Sequence, residues 1–320
     1  MRKSLALTAL LAVLVSACGG VDVVGPVTTA TSDGTTTTQA IPDTTTTSQH
    51  TTDSTTTTTT SVTDTSTTIP AEQTSLVVYF LAPGGETGVR PGPFLVPVHR
   101  TVPKTQAVAR AALNELLAGP TAVEQNAELS SAVPSETLLL DVAISDGLAT
   151  VDLSGAFDSG GGTFSQMARL AQVVYTVTQF STVDRVEFRL DGQTVEVFSS
   201  EGIVLDGPVD RDDYLDLVPL IMVESPAYGG TLGSKARITG TAAVFEAVFH
   251  MKVTGPDGDV LAEPPYVMTD EGAGWGSFDV TLDLDIAEPG WGTLTVWNAS
   301  AEDGSIVGLR EYPVYLDPKA

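Results

Sequence analysis

The sequence predicts an α+β domain, an antiparallel sheet with two helices, followed by an all-β sandwich, with a disordered Thr-rich linker ahead of both. Three observations carry this. Between Leu76 and Phe198 the apolar pattern runs strand, strand, helix twice over and then gives two more strands, an order that lays helices on a sheet. From Pro219 onward, short apolar runs are cut by repeated turn clusters, the texture of a sandwich. Between 28 and 68, 23 of 41 positions are Thr, with no apolar period to offset the entropy of ordering.

The chain holds 320 residues with 15 Lys+Arg against 40 Asp+Glu, a formal net charge of −25. That balance excludes a nucleic-acid binder, which needs a basic footprint to displace counterions. Three His and one Cys leave little material for metal or thiol chemistry, and no cofactor is expected. Residues 1–70 contain two bases and five acids, so residues 71–320 hold 13 bases and 35 acids, a net −22. Such a body is soluble and is steered away from anionic surfaces.

At the amino terminus, Arg2 and Lys3 precede a mild-to-apolar run from Ser4 to Val15. The run is too short for the roughly 20 residues a spanning helix needs, and it fits the h-region of a secretory signal. Val15-Ser16-Ala17-Cys18 ends it, and Cys18 is the only cysteine. This tetrapeptide resembles the lipobox of bacterial lipoproteins, with Val15 where Leu is commoner. The resemblance implies removal of 1–17, diacylglycerol on Cys18, and a mature chain lipid-anchored on the extracytoplasmic face of the cell membrane. The alternatives are an ordinary signal peptide with an incidental cysteine, or an uncleaved anchor. Residues 18–70 then form the lipidated, disordered tether, a candidate for O-glycosylation. As a flexible coil it spans on the order of 40 Å.

The first folded unit is expected over 71–208. Leu76–Leu81 reads as a buried strand before Pro83-Gly84-Gly85, and Phe94–Val102 as a second, with Pro97 marking an edge or bulge. Thr105 begins a helix that stops at Gly119-Pro120, with Ala109, Leu113, Leu116 and Leu117 on one face. Strands Leu138–Ile144 and Leu148–Leu153 flank Ser145-Asp146-Gly147, a hairpin signal. After Gly160-Gly161-Gly162, Thr163 and Gln166 read as a capping box. They open a helix whose buried stripe is Met167, Leu170, Ala171, Val174 and Thr178. Arg185–Leu190 and Thr194–Phe198 flank Asp191-Gly192 as a last hairpin.

These residues resemble the GerMN domain of spore-germination lipoproteins. The matching pieces are Leu116-Leu117-Ala118-Gly119-Pro120, Ala149-Thr150-Val151-Asp152-Leu153-Ser154, Thr178-Gln179-Phe180 and Val183–Asp191-Gly192, covering roughly 75–205. The resemblance implies a non-enzymatic role in envelope or sporulation assemblies, carries no catalytic positions, and allows self-association, since some related domains pack into rings.

Residues 209–218, with Asp210-Arg211-Asp212-Asp213-Tyr214, read as a polar hinge, and 219–320 as the sandwich. Phe245, Ala247, Phe249, Met251 and Val253 alternate as one face of a strand. Turn clusters at Gly255-Pro256-Asp257-Gly258, Gly272-Ala273-Gly274, Glu288-Pro289-Gly290 and Asp303-Gly304 separate about seven strands. Phe278, Trp291, Val296, Trp297 and Val314 are the expected core. The segment resembles the immunoglobulin-like domain that accompanies GerMN, through Ser225-Pro226, Ile238-Thr239-Gly240-Thr241-Ala242, Phe245-Glu246, Gly276-Ser277-Phe278, Asp303-Gly304 and Tyr312-Pro313-Val314.

No catalytic or metal site stands out. His99 and His250 sit in expected strands and His50 in the tether. Gly272-Ala273-Gly274-Trp275-Gly276 has GxG spacing without the strand-to-helix context of a phosphate loop. Asp210, Asp212 and Asp213 invite calcium but lack its loop spacing. Asp283 and Asp285 read as a solvated face. Asp152 with Asp158 is the carboxylate pair a glycoside hydrolase would use. Tyr228, Tyr266, Trp275 and Trp291 lie in or beside sandwich turns, and the expectation is that they fold back onto the core. The expectation is therefore a non-enzymatic, lipid-anchored binding or assembly module acting in sporulation, germination or wall remodelling. Its partners would be the membrane, peptidoglycan or envelope proteins, and further copies of itself. The alternative is a carboxylate-dependent peptidoglycan hydrolase. The ligand-binding residues are not legible.

Overall fold

The computed structural model describes residues 72–84, 92–199, 202–272 and 274–320. Cys18, the expected signal peptide over 1–17, the tether over 18–70 and His50 lie outside the described residues.

The first domain opens with an antiparallel ribbon, β1 (Gln73–Ala82) and β2 (Phe94–Pro103), in register Val78↔Val98 and Phe80↔Val96. Consecutive residues Val78, Tyr79, Phe80 and Leu81 are all buried, so both faces of β1 are covered and strict alternation is lost. Helix α1 (Val108–Ala118) packs on β1 through Ala112, Leu113 and Leu116. It starts three residues later than Thr105, whose hydroxyl instead accepts the Ala107 N–H. A one-turn helix α2 (Ala122–Asn126), absent from the sequence expectation, follows behind a true capping box. There the Thr121 hydroxyl accepts the Glu124 N–H and the Glu124 carboxylate accepts the Thr121 N–H.

Strands β3 (Leu139–Ser145) and β4 (Gly147–Leu153) form the expected hairpin, with positive φ at Asp146 and Gly147 as a tight turn requires. A 3-10 turn at Gly155–Asp158 leads into α3 (Thr163–Val177). The capping box expected at Thr163 is not formed. The N-cap is Gly162, and the Gln166 amide instead donates to the Gly160 carbonyl at 2.7 Å. The following strand β5 (Val183–Leu190) pairs with β4 in parallel, Val151↔Phe188, which corrects the all-antiparallel sheet. The physical reason is that α3 lies between them, and a helical crossover returns the chain to the end from which it started. β6 (Gln193–Thr194) completes the order β3-β4-β5-β6. The expected strand Thr194–Phe198 breaks after Thr194. Its end, β7 (Val197–Phe198), pairs with β8 (Ile203–Val204) as a separate small hairpin.

Helix α3 is buried nearly all round rather than along one stripe. The cause is the open edge of β1, which no strand covers. Gln172, Thr176 and Gln179 fall on one helical face. The Tyr79 N–H donates to the Thr176 hydroxyl at 3.2 Å, and the Val77 N–H to the Gln179 carbonyl at 2.8 Å. In return the Gln172 and Gln179 amides donate to the Tyr79 and Val77 carbonyls at 2.9 and 2.6 Å. Side-chain amides thus take the place of a third strand, meeting the rule that buried backbone groups must be paired. Arg169 lies under the glycine loop, donating to the carbonyls of Phe157, Ser159 and Gly160. Gly161 has φ +81°, and a Cβ there would stand 2.7 Å from the Ser165 hydroxyl, so that position demands glycine.

The segment 209–218 is packed. Val209 and Val186 exchange backbone hydrogen bonds, and Tyr214, Leu217 and Val218 join the first core. Its middle is a 3-10 turn, Asp212–Leu217.

The second domain is a sandwich. One sheet orders β15 (Gly276–Asp283), β11 (Lys235–Ala242) and β9 (Ile221–Ser225). The other orders β10 (Thr231–Leu232), β17 (Ile306–Leu316), β16 (Gly290–Ala299), β12 (Val248–Thr254) and β13 (Val260–Ala262), with β14 (Val267–Met268) also on β12. The core holds Ile238, Phe249, Met251, Val253, Phe278, Leu294, Val296, Tyr312 and Val314. The Phe249 and Phe278 rings meet edge-on at 4.9 Å. Gly240 opens that space, since a Cβ there would lie 2.7 Å from the Phe278 ring.

Two expected core residues, Trp291 and Trp297, are corrected, and so is the placing of Phe245 on the strand face of Phe249, Met251 and Val253. Phe245 is 71% exposed, because a turn with positive φ at Glu246 and Ala247 interrupts the alternation before β12 begins. Trp291 is 59% exposed, and Trp297 is half-buried, stacked on His250 at 5.4 Å. Both share the outward parity of β16, whose Leu294 and Val296 point inward.

Candidate functional site

The candidate site lies where the two domains meet. The chain between β9 and β10 serves as the stitch. Tyr228 donates its N–H to the Pro97 carbonyl at 2.8 Å and accepts the His99 N–H at 2.9 Å. On its other side, Gly229 and Gly230 exchange backbone bonds with Pro313 and Tyr315 of β17, each at 2.8 Å. The ribbon of the first domain and the larger sheet of the second are therefore hydrogen-bonded through one segment. Pro97 fits here because the ribbon's outer edge asks only for its carbonyl.

Beside the stitch, Arg211 crosses the seam. Its guanidinium lies 4.8 Å over the Tyr175 ring and 5.7 Å from the Tyr79 ring. It donates to the Thr178 hydroxyl at 2.8 Å and pairs with Glu224 of β9. Burial opposes the Arg211 charge, but Tyr79 and Glu224 outweigh it and hold the group above its ordinary range. Burial drives the Tyr79 and Tyr175 phenols far up, and their rings face the guanidinium. Across the same region the Val223 N–H donates to the Tyr312 hydroxyl at 3.2 Å, and burial pushes that phenol up to about 12.

A cleft of about 400 Å³ lies at the seam, walled by Ala82, Pro83, Val96 and Leu129 of the first domain and Arg310 and Glu311 of the second, with Tyr228 beside them. A groove of about 630 Å³ lies wholly in the first domain, between the start of α1 and the β3–β4 turn, with Val142, Ile144 and Phe180 along it.

The sequence candidates are dispersed. The Asp152 carboxylate accepts the Gly192 N–H at 3.0 Å. Asp158 sits by Arg169; burial pushes its carboxyl up and the guanidinium opposes this. Neither lines the cleft or the groove. Asp210 and Asp213 cap the backbone N–H groups of Asp212 and Asp210, which accounts for that acidic cluster. Among the described residues no group of three His, Cys, Asp or Glu is placed to hold a metal ion. Asp283 pairs with Lys235 across the strands, as Asp279 does with Arg237 at 2.6 Å. The His99 Nε2 meets the Ser75 hydroxyl at 2.8 Å; partial burial and neighbouring Arg100 push its imidazole down. Of the four turn aromatics, Tyr228 and Trp275 pack against the first core, whereas Tyr266 and Trp291 stay exposed.

The sequence reading missed two arginines. Arg211 was hidden among acids as part of a polar hinge. Arg310 left a usable signal: it shares strand parity with Tyr312, Val314 and Leu316, all buried, and a charge in phase with a core face calls for a reason.

Comparison with known proteins fits this architecture. A family described as "Germane: Sporulation and spore germination" matches residues 77–196. One described as "Gmad2: Immunoglobulin-like domain of bacterial spore germination" matches 220–305. The chain carries these two domains, in this order. The Germane domain is the α+β unit and the Gmad2 domain the sandwich, so the stitch and Arg211 join Germane to Gmad2. Among solved structures, the chain is similar to the first GerMN domain of the sporulation protein GerM from Bacillus subtilis, at 22% identity and TM-score 0.37, over 44% of this chain and 99% of that one. The tandem GerMN domains of the same protein align at 18% identity and TM-score 0.38, over 68% of this chain and 63% of that one. No curated protein matches.

Proposed function

We propose that the chain is a lipid-anchored envelope protein that works by contact, positioning or assembling components in sporulation, germination or wall remodelling. In this reading Cys18 carries the lipid, 18–70 is the tether, and the Germane–Gmad2 pair is the working end. The observation that carries it is the order along the chain: the only cysteine closes an apolar run, and two sporulation- and germination-type domains follow a Thr-rich stretch. Two lipid chains on Cys18 hold a protein at a bilayer where one is marginal. The engagement of Asp152 with the Gly192 backbone supports contact over hydrolysis.

The test uses the full chain in cells. Wild type is expected to label with palmitate and sediment with membranes, and Cys18→Ser to do neither. Label on Cys18→Ser, or wild type recovered from cytosol, overturns the anchor. Purified peptidoglycan sacculi are expected to pellet the chain without releasing sugars. Sugar release lost in Asp152→Asn would replace contact with hydrolysis.

A further inference from the structure

We propose that the seam cleft binds a peptide end bearing a free carboxylate together with a nearby basic side chain, with Arg310 taking the carboxylate and Glu311 the cation. The inference rests on the reading of the chain as a contact module and names what it would contact.

Arg310 is half-buried on β17. Its Nη1 donates to the Pro83 carbonyl at 2.6 Å, and its guanidinium lies 4.9 Å over the Phe94 ring. Among the described residues no carboxylate pairs with it, whereas Arg100, Arg110, Arg189, Arg211 and Arg237 each have one. Burial accordingly pushes its guanidinium down, with only the Tyr312 phenol opposing. Arg169 also has no carboxylate ion pair among the described residues, but three carbonyls fill its fork; the fork of Arg310 meets the single carbonyl of Pro83 and keeps donors to supply. The carbonyl and the ring fix the plane of the fork, and a fixed fork favours a carboxylate over a point charge.

A simple anion is the wrong occupant. Residues 71–320 carry a net −22, which repels anions at a distance, and Glu311, exposed and of the opposite strand parity to Arg310, also borders the cleft. A ligand with both signs satisfies the long-range field and the local arginine together. The aliphatic wall of Ala82, Val96 and Leu129 suits small apolar side chains beside the carboxylate. A volume of about 400 Å³ falls within the usual range for small-ligand sites, enough for the last residues of a peptide.

The probe is N-acetyl-lysyl-alanyl-alanine, with both alanines D or both L, each as free acid and as C-terminal amide, titrated calorimetrically into the full chain. The free acid is expected to bind, and the amide to bind at least about tenfold more weakly, the loss of a charge-assisted pair. Arg310→Gln is expected to bring the acid down to the amide's affinity while leaving the amide unchanged. Preference for the D,D form assigns the site to wall peptides and for the L,L form to protein termini; either supports the inference. Equal binding of acid and amide, or no binding of any probe, overturns it. If Arg310→Gln fails to fold by circular dichroism, the acid–amide pair on the unaltered chain decides alone. Sacculi that pellet the chain while no probe binds would sink this inference and leave the proposed function standing.

Discussion

The two domains solve the problem of burying backbone in opposite ways. In the sandwich, ladder partners satisfy the strands, and Thr269 and Thr295 are its buried polar residues. In the Germane domain the sheet is split, so Gln172, Thr176, Gln166, Arg169 and Glu124 are buried as well, and each of the first four bonds backbone across the split or the glycine loop. One domain is specified by shape, the other by amide and guanidinium geometry. The difference teaches that buried polar residues here mark where strand topology runs out, not where chemistry occurs.

That contrast can be broken most forcefully at Phe249. Phe249→Ala is expected to cost about 4 kcal/mol in denaturant unfolding, as a fully buried aromatic; a loss under about 1 kcal/mol would deny the sandwich its apolar basis. Next in size is Gln172→Leu. Apolar burial alone predicts a gain, but the Tyr79 carbonyl and the Ala132 N–H lose their partner. A loss of about 3 kcal/mol is expected, so the sign of the change discriminates.

The seam sharpens the comparison at a third level. All three tryptophans, 275, 291 and 297, lie in the sandwich, and the α-helices among the described residues lie in the Germane domain. Trp275 packs against the first core, so with Trp275 replaced by Phe, tryptophan fluorescence and the helical dichroism signal report one domain each. With Glu224 unaltered they should unfold together. Glu224→Gln strips Arg211 of its carboxylate, is expected to cost about 1–2 kcal/mol, and should pull the two curves apart. Coincident curves in that variant would leave the ion pair no role in coupling.

Smaller still is a pH effect confined to one side. The folded His99 imidazole lies below its unfolded value of 6.5, so the unfolded chain takes up the proton first. Its stabilising share is present above that value and drains away as pH falls below it. Between about pH 7 and about pH 5, the helical midpoint should drop in wild type and hold in His99→Gln. Last comes Trp291→Ala, expected within about 0.5 kcal/mol of wild type because the ring is exposed. A larger loss would return it to the core.

What could be read from the sequence followed from local rules. Asp146-Gly147 marks a hairpin, the 3.6-residue period marks α1 and α3, and alternation puts Phe249, Met251 and Val253 on one strand face, which is the core face. What escaped was decided by pairing across long separations. The parallel β4–β5 seam depends on where a crossover returns, and the β1 edge depends on a helix about 100 positions away. Trp297 differs in kind: neighbouring strand residues face opposite sides, so Val296 and Trp297 cannot both point into the core, and side-chain bulk alone does not say which one does. At the seam, Arg310 was legible by that same parity, whereas Glu224 meeting Arg211 was not, because nothing local links a linker arginine to a strand of the next domain.

The amide rail along β1 has one more effect. A rim already occupied by Gln172, Thr176 and Gln179 offers a passing extended chain no vacant template, while β3, whose free flank bears Leu140 and Ile144 in partial exposure, still does. Among the described residues the ribbon thus closes its margin with side chains, whereas the sheet beside it ends at β3 and β6 with strands.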